Sequence, residues 1–76
     1  MKDLIEFIVK ALVDSPDTVA VQEVEGDKVT VYELTVSPDD IGKVIGKEGR
    51  TIKSIRTVMS CAAAKLNKRV MLELIE

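Results

Sequence analysis

The first predicted element is a helix near the start of the chain. Apolar residues recur there at the three- and four-residue spacing of one helix face, with charged residues between them. This spacing predicts an amphipathic helix over residues 2–13, which ends at DSPD because Pro16 disfavours a helical Ser15. The residues at helical spacing are Leu4, Ile5, Ile8, Val9 and Leu12.

Two segments of alternating polarity follow and predict a β-hairpin. TVAVQEVE and KVTVYELTV are rich in β-branched residues, and EGDK between them supplies a turn centred on Gly26 and Asp27. The sequence does not show which side of the second strand faces the core, because both of its sides carry apolar residues. These are Val29 and Val31 on one side, and Tyr32, Leu34 and Val36 on the other.

The second half of the chain predicts two helices and a final strand. SPDD is typical of a helix start, with Ser37 as N-cap, Pro38 at the first helical position and carboxylates at the positive end of the helix dipole. This helix has about two turns before Gly46. A longer helix is expected over residues 49–66, stopped by Asn67, and RVMLELI closes the chain as a strand. The apolar face of the longer helix comprises Ile52, Ile55, Val58, Met59, Ala62, Ala63 and Leu66.

The predicted order is therefore α-β-β-α-α-β in a single domain over residues 1–76, an α+β fold with a three-stranded sheet packed on helices. A core this small makes self-association a reasonable expectation. The longest apolar run, residues 61–64, is too short to span a membrane, and the N-terminus lacks the apolar core of a signal peptide. With one cysteine and no internal disulfide, we expect a cytoplasmic protein.

The net charge of −2 hides a polarised chain. Residues 1–40 carry three lysines against ten carboxylates, whereas residues 41–76 carry eight basic side chains against three carboxylates. A charged ligand is steered by the local field and not by the net charge, so the second half remains open to a polyanion. The absence of histidine excludes a Cys–His nucleophile and a mixed Cys/His metal site.

The most distinctive stretch is GKVIGKEGR, with three glycines in eight residues. It is not a P-loop, because Gly42 and Gly46 are one residue too close and Glu48 stands where a hydroxyl is needed. It is not a dinucleotide fingerprint, since the loop joins two helices. The remaining interpretation is a helix–helix connection over residues 46–49, here called the GKEG loop. If the loop were only a structural corner between two helices, Gly46 would be a left-handed C-terminal cap and Gly49 would ease the start of the next helix.

Three features favour a binding role over a bare corner. Basic side chains lie in or just after the loop, where the free amides of the long helix also point. Apolar residues flank the glycines and would line a groove, and two helices and a strand after a hairpin are the frame of a known module. The basic residues are Lys47, Arg50 and Lys53, and the apolar ones are Val44, Ile45 and Ile52.

That module is the K-homology (KH) RNA-binding domain. VIGKEGRTIKSIR resembles its V-I-G-x-x-G-x-x-I-x-x-I/L signature, and the element order matches the type II arrangement of the KH fold. VSPDDIGKVIGKEGRTIKSIRTVMSCAAAK is similar to the stand-alone bacterial KH proteins of the KhpA family, and the resemblance covers essentially the whole chain.

The resemblance implies a mechanism. In KH domains the loop glycines let the backbone pack against about four nucleotides, and the bases turn into an aliphatic groove. Side chains at Gly46 or Gly49 would then block the phosphates. Glu48 places a negative charge in the loop and few aromatic residues are present, so one domain is expected to bind weakly and with little sequence discrimination. The implied RNA-binding residues are Val44, Ile45, Gly46, Lys47, Glu48, Gly49, Arg50, Ile52 and Lys53, with no cofactor and no metal.

The resemblance also implies partners and a setting. These are single-stranded RNA, a second copy or a larger KH-containing protein of the KhpB (Jag) type, and a role as an RNA chaperone or post-transcriptional regulator influencing cell elongation or division. A competing hypothesis is a protein-interaction module on a KH scaffold, favoured by Glu48, the acidic first half and the small surface of residues 62–64. An enzyme ranks third, because the chain lacks a nucleophile–base pair.

Several other residues receive structural interpretations. Cys61 is expected to be a buried packing residue. Asp39 and Asp40 are assigned to helix capping, and Glu23 and Glu25 to the solvated face of an edge strand. A second basic group would either extend the RNA path or only favour the end of the long helix. It consists of Lys65, Lys68 and Arg69.

Overall fold

The elements follow one another in the predicted α-β-β-α-α-β order in a computed structural model that describes residues 1–76. The α-helices and β-strands are α1 (Lys2–Leu12), β1 (Ala20–Glu25), β2 (Val29–Thr35), α2 (Ile41–Ile45), α3 (Arg50–Ala64) and β3 (Arg69–Leu74). Short 3₁₀ turns, which the sequence did not predict, occupy Pro16–Thr18, Pro38–Asp40 and Lys47–Gly49. None of the helices combines the length and apolar character that a membrane crossing requires.

The sheet is mixed, with β2 at its centre. β1 pairs antiparallel with β2, and β3 pairs parallel with it, so β1 and β3 are both edge strands. Glu25 is paired with Thr30, and the Gly26 amide donates to the Val29 carbonyl at 2.9 Å. The hairpin turn is therefore centred on Asp27 and Lys28, one residue later than predicted, because the register of the two strands fixes where pairing stops.

The helices cover one face of the sheet and form the core with it. The side of β2 that packs on the helices is the one with Tyr32 and Leu34, which are buried together with the following Val36. The opposite face remains open, with Met71 60% exposed. The fully buried hydrophobic side chains with the largest volumes are Ile5, Val9, Leu34, Val44 and Met59.

The buried stripe of α3 is narrower than predicted. Its buried residues are Ile52, Ile55, Met59 and Ala63, whereas Val58 and Leu66 are exposed. The helix ends at Ala64, and Asn67 then turns the chain with a left-handed backbone, φ 54°. The prediction that Cys61 is buried was wrong, because two residues along a helix rotate a side chain by about 200°, which carries Cys61 away from the face of Met59.

Asp40 has a different role from the predicted helix cap. Neither Ser37 nor Asp40 makes a side-chain capping bond to its own helix. The Asp40 carboxylate is buried, and it accepts hydrogen bonds from the backbone amides of Asp14 at 3.2 Å and Ser15 at 3.0 Å. It thereby joins the exit of α1 to the start of α2. Lys43 completes the cluster with ion pairs to Asp14 at 3.1 Å and to Asp40 at 3.7 Å.

Candidate nucleic-acid interface

The GKEG loop has an unusual backbone. Gly46 follows α2 with φ 76° and ψ 175°, a region that is essentially restricted to glycine. Glu48 (φ 58°, ψ 25°) and Gly49 (φ 73°, ψ 14°) both adopt left-handed conformations. Three of the four loop residues thus have positive φ. The resulting tight turn is closed by a hydrogen bond from the Gly49 amide to the Gly46 carbonyl at 3.1 Å.

The two loop glycines are required for different reasons. A Cβ atom at Gly46 would collide with Thr51, at 2.6 Å from its Cβ and 2.9 Å from its amide nitrogen. At Gly49 a Cβ atom would meet nothing within 4 Å. The fold itself therefore demands glycine at Gly46, while the space beside Gly49 is free for an approaching ligand.

The predicted basic residues are exposed around this loop. Lys47 and Lys53 form no ion pair, so their ammonium groups are free to meet a phosphate. Arg50 differs, because its Nη2 donates to Glu48 Oε2 at 3.3 Å. The carboxylate in the loop therefore competes with any anionic ligand for the Arg50 guanidinium.

A groove of about 550 Å³, here called the α3–β3 groove, lies between the helices and the edge strand β3. Of the three apolar residues predicted to line it, Ile45 and Ile52 do so. The prediction for Val44 was wrong, because that side chain is fully buried and contributes to packing instead. On the side of β3 the groove is bounded by Met71, Leu72 and Leu74, and the carboxylates of Glu73 and Glu76 also line it.

Sequence reasoning missed Arg56, which also lines this groove. Its Nη2 donates to the carbonyl oxygen of Leu72 on β3 at 3.1 Å. A second hollow of about 220 Å³ continues beyond it and is lined by Arg56, Met59, Ser60, Val70, Met71 and Leu72. The available sequence signal was that Arg56 lies one helical turn after Ile52, which puts both on the same side of α3.

The second basic group lies at the other end of α3. Lys68 and Arg69 line a hollow of about 180 Å³ with Lys28 of the hairpin turn. Both lysines and the arginine are exposed, and Arg69 is the first residue of β3. The carboxylates of Glu25 and Asp27 also line this hollow, and the GKEG loop lies at the opposite end of α3.

Two side chains have raised pKa values. Burial raises the pKa of Tyr32, and the carboxylates of Glu23 and Glu25 raise it further. The two glutamates are exposed on the edge strand β1, but the alternation of the strand puts them on the same face as the buried Val21. Glu23 is the ladder partner of the buried Tyr32, so the prediction was right about exposure and wrong about the face. The hydrogen bond with Asp14 raises the pKa of Lys43, because the carboxylate stabilises the charged ammonium group.

Comparisons with known proteins give one family. A family model described as "KhpA/KhpB, KH domain" matches residues 2–74. RNA-binding protein KhpA of Clostridium acetobutylicum is 57% identical over 75 residues, which cover 99% of this chain and 100% of that protein. The proteins of the same name from Chlamydia caviae and Aquifex aeolicus are 53% and 47% identical, and each match covers 100% of this chain and at least 96% of the relative. No solved structure matches the chain. The family match and the mixed three-stranded sheet confirm the predicted type II KH fold.

Proposed function

Because the chain belongs to the KhpA/KhpB family of KH domains, we propose that it is a non-catalytic protein which holds about four nucleotides of single-stranded RNA. The RNA lies along the GKEG loop and the adjacent α3–β3 groove. The observation that carries this proposal is the position of two unpaired lysines, Lys47 and Lys53, beside a glycine turn that opens onto a groove with a mostly apolar lining.

The phosphates contact the loop. Free space beside Gly49 lets the sugar-phosphate chain approach the backbone of the loop. Lys47 and Lys53 supply positive charge, and Arg50 joins them when a phosphate displaces Glu48.

The bases occupy the groove. Ile45 and Ile52 form its aliphatic lining, with Leu72 and Leu74 of β3 opposite. None of its lining residues is aromatic, so apolar contact replaces stacking and the affinity of one domain is modest.

The proposal also covers where the protein acts and what it binds, with residues 1–76 taken as a single domain. The protein acts in the bacterial cytoplasm as an RNA chaperone or post-transcriptional regulator influencing cell elongation or division. It pairs with a second copy or with a larger KH-containing protein of the KhpB (Jag) type. Two exposed apolar side chains support a protein contact, since Phe7 is 75% and Leu66 65% exposed.

The second candidate function is a protein-interaction module that uses the KH scaffold mainly to bind another protein. The exposed Phe7 on α1 and the Glu48–Arg50 pair favour it, because the first offers an apolar contact and the second weakens the charge of the loop. This candidate predicts negligible RNA binding at moderate salt.

A salt titration tests the proposed function. Fluorescence anisotropy with a short labelled single-stranded RNA is measured at several salt concentrations. Three phosphate contacts, from Lys47, Arg50 and Lys53, give a slope of log K against log[salt] of about −2. The double variant Lys47→Ala/Lys53→Ala should bind more weakly, with a slope of about −0.7.

The matched control removes two lysines of the acidic half, Lys2→Ala/Lys10→Ala, and should leave affinity and slope unchanged. A slope near zero, or equal losses in the two double variants, would contradict the proposed function and favour the protein-interaction module.

A further inference from the structure

We propose that Asp40 is a positioning residue for RNA binding. Its side chain fixes α2 against the end of α1 and thereby holds the GKEG loop where RNA contacts it. This inference rests on the proposed function, because the affinity for RNA is the property that Asp40 controls. It assigns a role in binding to a residue that does not itself line the α3–β3 groove.

The helix that leads into the loop is too short to hold its own position. α2 has five residues, and only Val44 among them is buried. A helix of little more than one turn is not stable in isolation, because its first turn fixes several residues for a single hydrogen bond. Since α2 ends directly before Gly46, a movement of α2 also moves the start of the GKEG loop. The position of the loop therefore depends on what anchors α2.

Asp40 supplies a polar anchor at the start of α2. Its carboxylate is 1% exposed and accepts hydrogen bonds from the backbone amides of Asp14 and Ser15, which lie at the exit of α1. Lys43 adds ion pairs to both Asp14 and Asp40. These four residues are here called the Asp40 cluster. Hydrogen bonds to an ionised acceptor are stronger than those between neutral groups, so the cluster ties α2 firmly to α1.

α2 lies between the Asp40 cluster and the groove. Residues two positions apart in a helix are separated by about 200° around its axis, so Lys43 and Ile45 point in nearly opposite directions. Lys43 faces Asp14, whereas Ile45 lines the α3–β3 groove. A displacement of α2 would therefore move the lining of the groove together with the start of the loop.

The GKEG loop has a second anchor at its other end. The Gly49 amide bonds to the Gly46 carbonyl at 3.1 Å, and Thr51 of α3 packs against Gly46. These contacts fix the shape of the turn and its attachment to α3. They do not join α2 to α1, which is the part that the Asp40 cluster supplies. Loss of the cluster should therefore leave the turn intact and make the placement of α2 variable.

The experiment compares the wild type with Asp40→Asn, with a short labelled single-stranded RNA as the probe. The substitution keeps the size of the side chain, but its NH₂ group cannot accept the hydrogen bond from the second amide. If the loop then occupies its binding position for one-tenth of the time, the affinity falls about tenfold. Fluorescence anisotropy measures the affinity at a temperature at which the unfolding curve shows the variant to be folded.

Ala63→Gly is the matched control for a general loss of stability. Ala63 is buried near the C-terminal end of α3, about 20 Å from the GKEG loop along the helix. The substitution removes a buried methyl group and a good helix former, so it lowers the free energy of unfolding. It should leave the affinity for RNA unchanged.

Amide hydrogen exchange reports the loop without RNA. The Gly46 amide bonds to the Gly42 carbonyl at 2.9 Å, and the Gly49 amide bonds to the Gly46 carbonyl. The Gly46 amide, which closes α2, should exchange faster in Asp40→Asn than in the wild type, and saturating RNA should slow it again. In Ala63→Gly it should exchange as in the wild type.

Lys43→Gln is a second variant that keeps both amide bonds to Asp40 and should fold even if Asp40→Asn does not. It should lose about twofold in affinity, because an ion pair with an exposed lysine contributes little. The slope of log K against log[salt] should stay at about −2, since Lys43 is not a phosphate contact. A slope flatter by about 0.7 would make Lys43 a phosphate contact and would overturn its place in the cluster.

The outcomes separate the two levels. If the wild type binds no RNA, the proposed function fails, and the role of Asp40 in binding fails with it. If the wild type binds RNA but a folded Asp40→Asn binds as tightly, or Ala63→Gly loses as much affinity, only the role of Asp40 fails. If Asp40→Asn does not fold, an unchanged affinity and unchanged Gly46 exchange in Lys43→Gln refute the role of the cluster.

Discussion

Thr51 packs so closely on Gly46 that a Cβ atom at Gly46 would lie 2.6 Å from the Cβ of Thr51. The backbone of Gly46 adds a second constraint, because φ 76° with ψ 175° is essentially open to glycine alone. Gly49 is less constrained. Its left-handed backbone also suits asparagine and aspartate, and a Cβ atom there would meet nothing within 4 Å. The two glycines of one motif therefore serve different purposes.

The first prediction follows from this difference. Gly46→Ala should lower the free energy of unfolding by about 3 kcal/mol, from the strained backbone and the collision with Thr51. Gly49→Ala should cost only about 1 kcal/mol, the price of a left-handed alanine. Urea denaturation measures both values, and equal losses would show that the contact with Thr51 relaxes easily.

The second prediction concerns RNA binding at Gly49. Gly49→Asp should remain folded and lose RNA binding, because the new carboxylate would stand where phosphate approaches. Gly49→Asn has nearly the same size and the same tolerance of left-handed backbone, but no charge. It should weaken binding less. Anisotropy titrations measure the affinity of each variant for RNA, and circular dichroism checks that it is folded. If Gly49→Asp binds RNA like the wild type, the loop does not contact the phosphates.

The third prediction concerns Glu48. Glu48→Gln should tighten RNA binding by up to about fivefold, because it removes a repulsive charge and releases Arg50 from an exposed ion pair. The gain should shrink with added salt, since exposed charges are screened over about 8 Å at physiological ionic strength. Glu6→Gln on α1 is the control and should have no effect. Weaker binding of Glu48→Gln would mean that Glu48 holds Arg50 in its productive position.

The fourth prediction concerns Asp40. Asp40→Ala should lower the free energy of unfolding by about 3 kcal/mol, because the amides of Asp14 and Ser15 lose their acceptor in a partly buried setting. Asp39→Ala changes the exposed neighbour of the same type and should stay within about 0.5 kcal/mol of the wild type. Chemical denaturation measures both, and similar small losses would mean that water replaces the carboxylate.

The fifth prediction concerns pH. The chain contains a single tyrosine and no tryptophan, so the ultraviolet absorbance of tyrosinate reports Tyr32 alone. Its titration should be shifted to higher pH than that of free tyrosine, and Glu23→Gln should move it part of the way back. A raised folded-state pKa means that the stability contributed by the neutral phenol is present below the unfolded pKa and is lost as the pH rises through the folded one. Tyr32→Phe should reduce this alkaline loss of stability.

The order of elements and the place of the loop could be predicted from local patterns in the sequence. The spacing of Ile5 and Val9, the alternation through Tyr32 and Leu34, and the glycines at 46 and 49 are local signals. They could be interpreted because helical and extended backbones impose fixed periods on apolar residues. The resemblance of the loop to the KH signature then indicated the family, which the comparisons confirmed.

The neighbours that each side chain contacts became known only from the packing of the elements in three dimensions. The same helical pattern that placed Val44 beside the loop could not show that it is fully buried, or that Cys61 is exposed. Asp40 bonds to amides 25 and 26 residues earlier, and Arg56 bonds to a carbonyl 16 residues later. Such contacts depend on how α1, α2, α3 and β3 pack together, and a periodic pattern defines the side of an element without defining what lies against it.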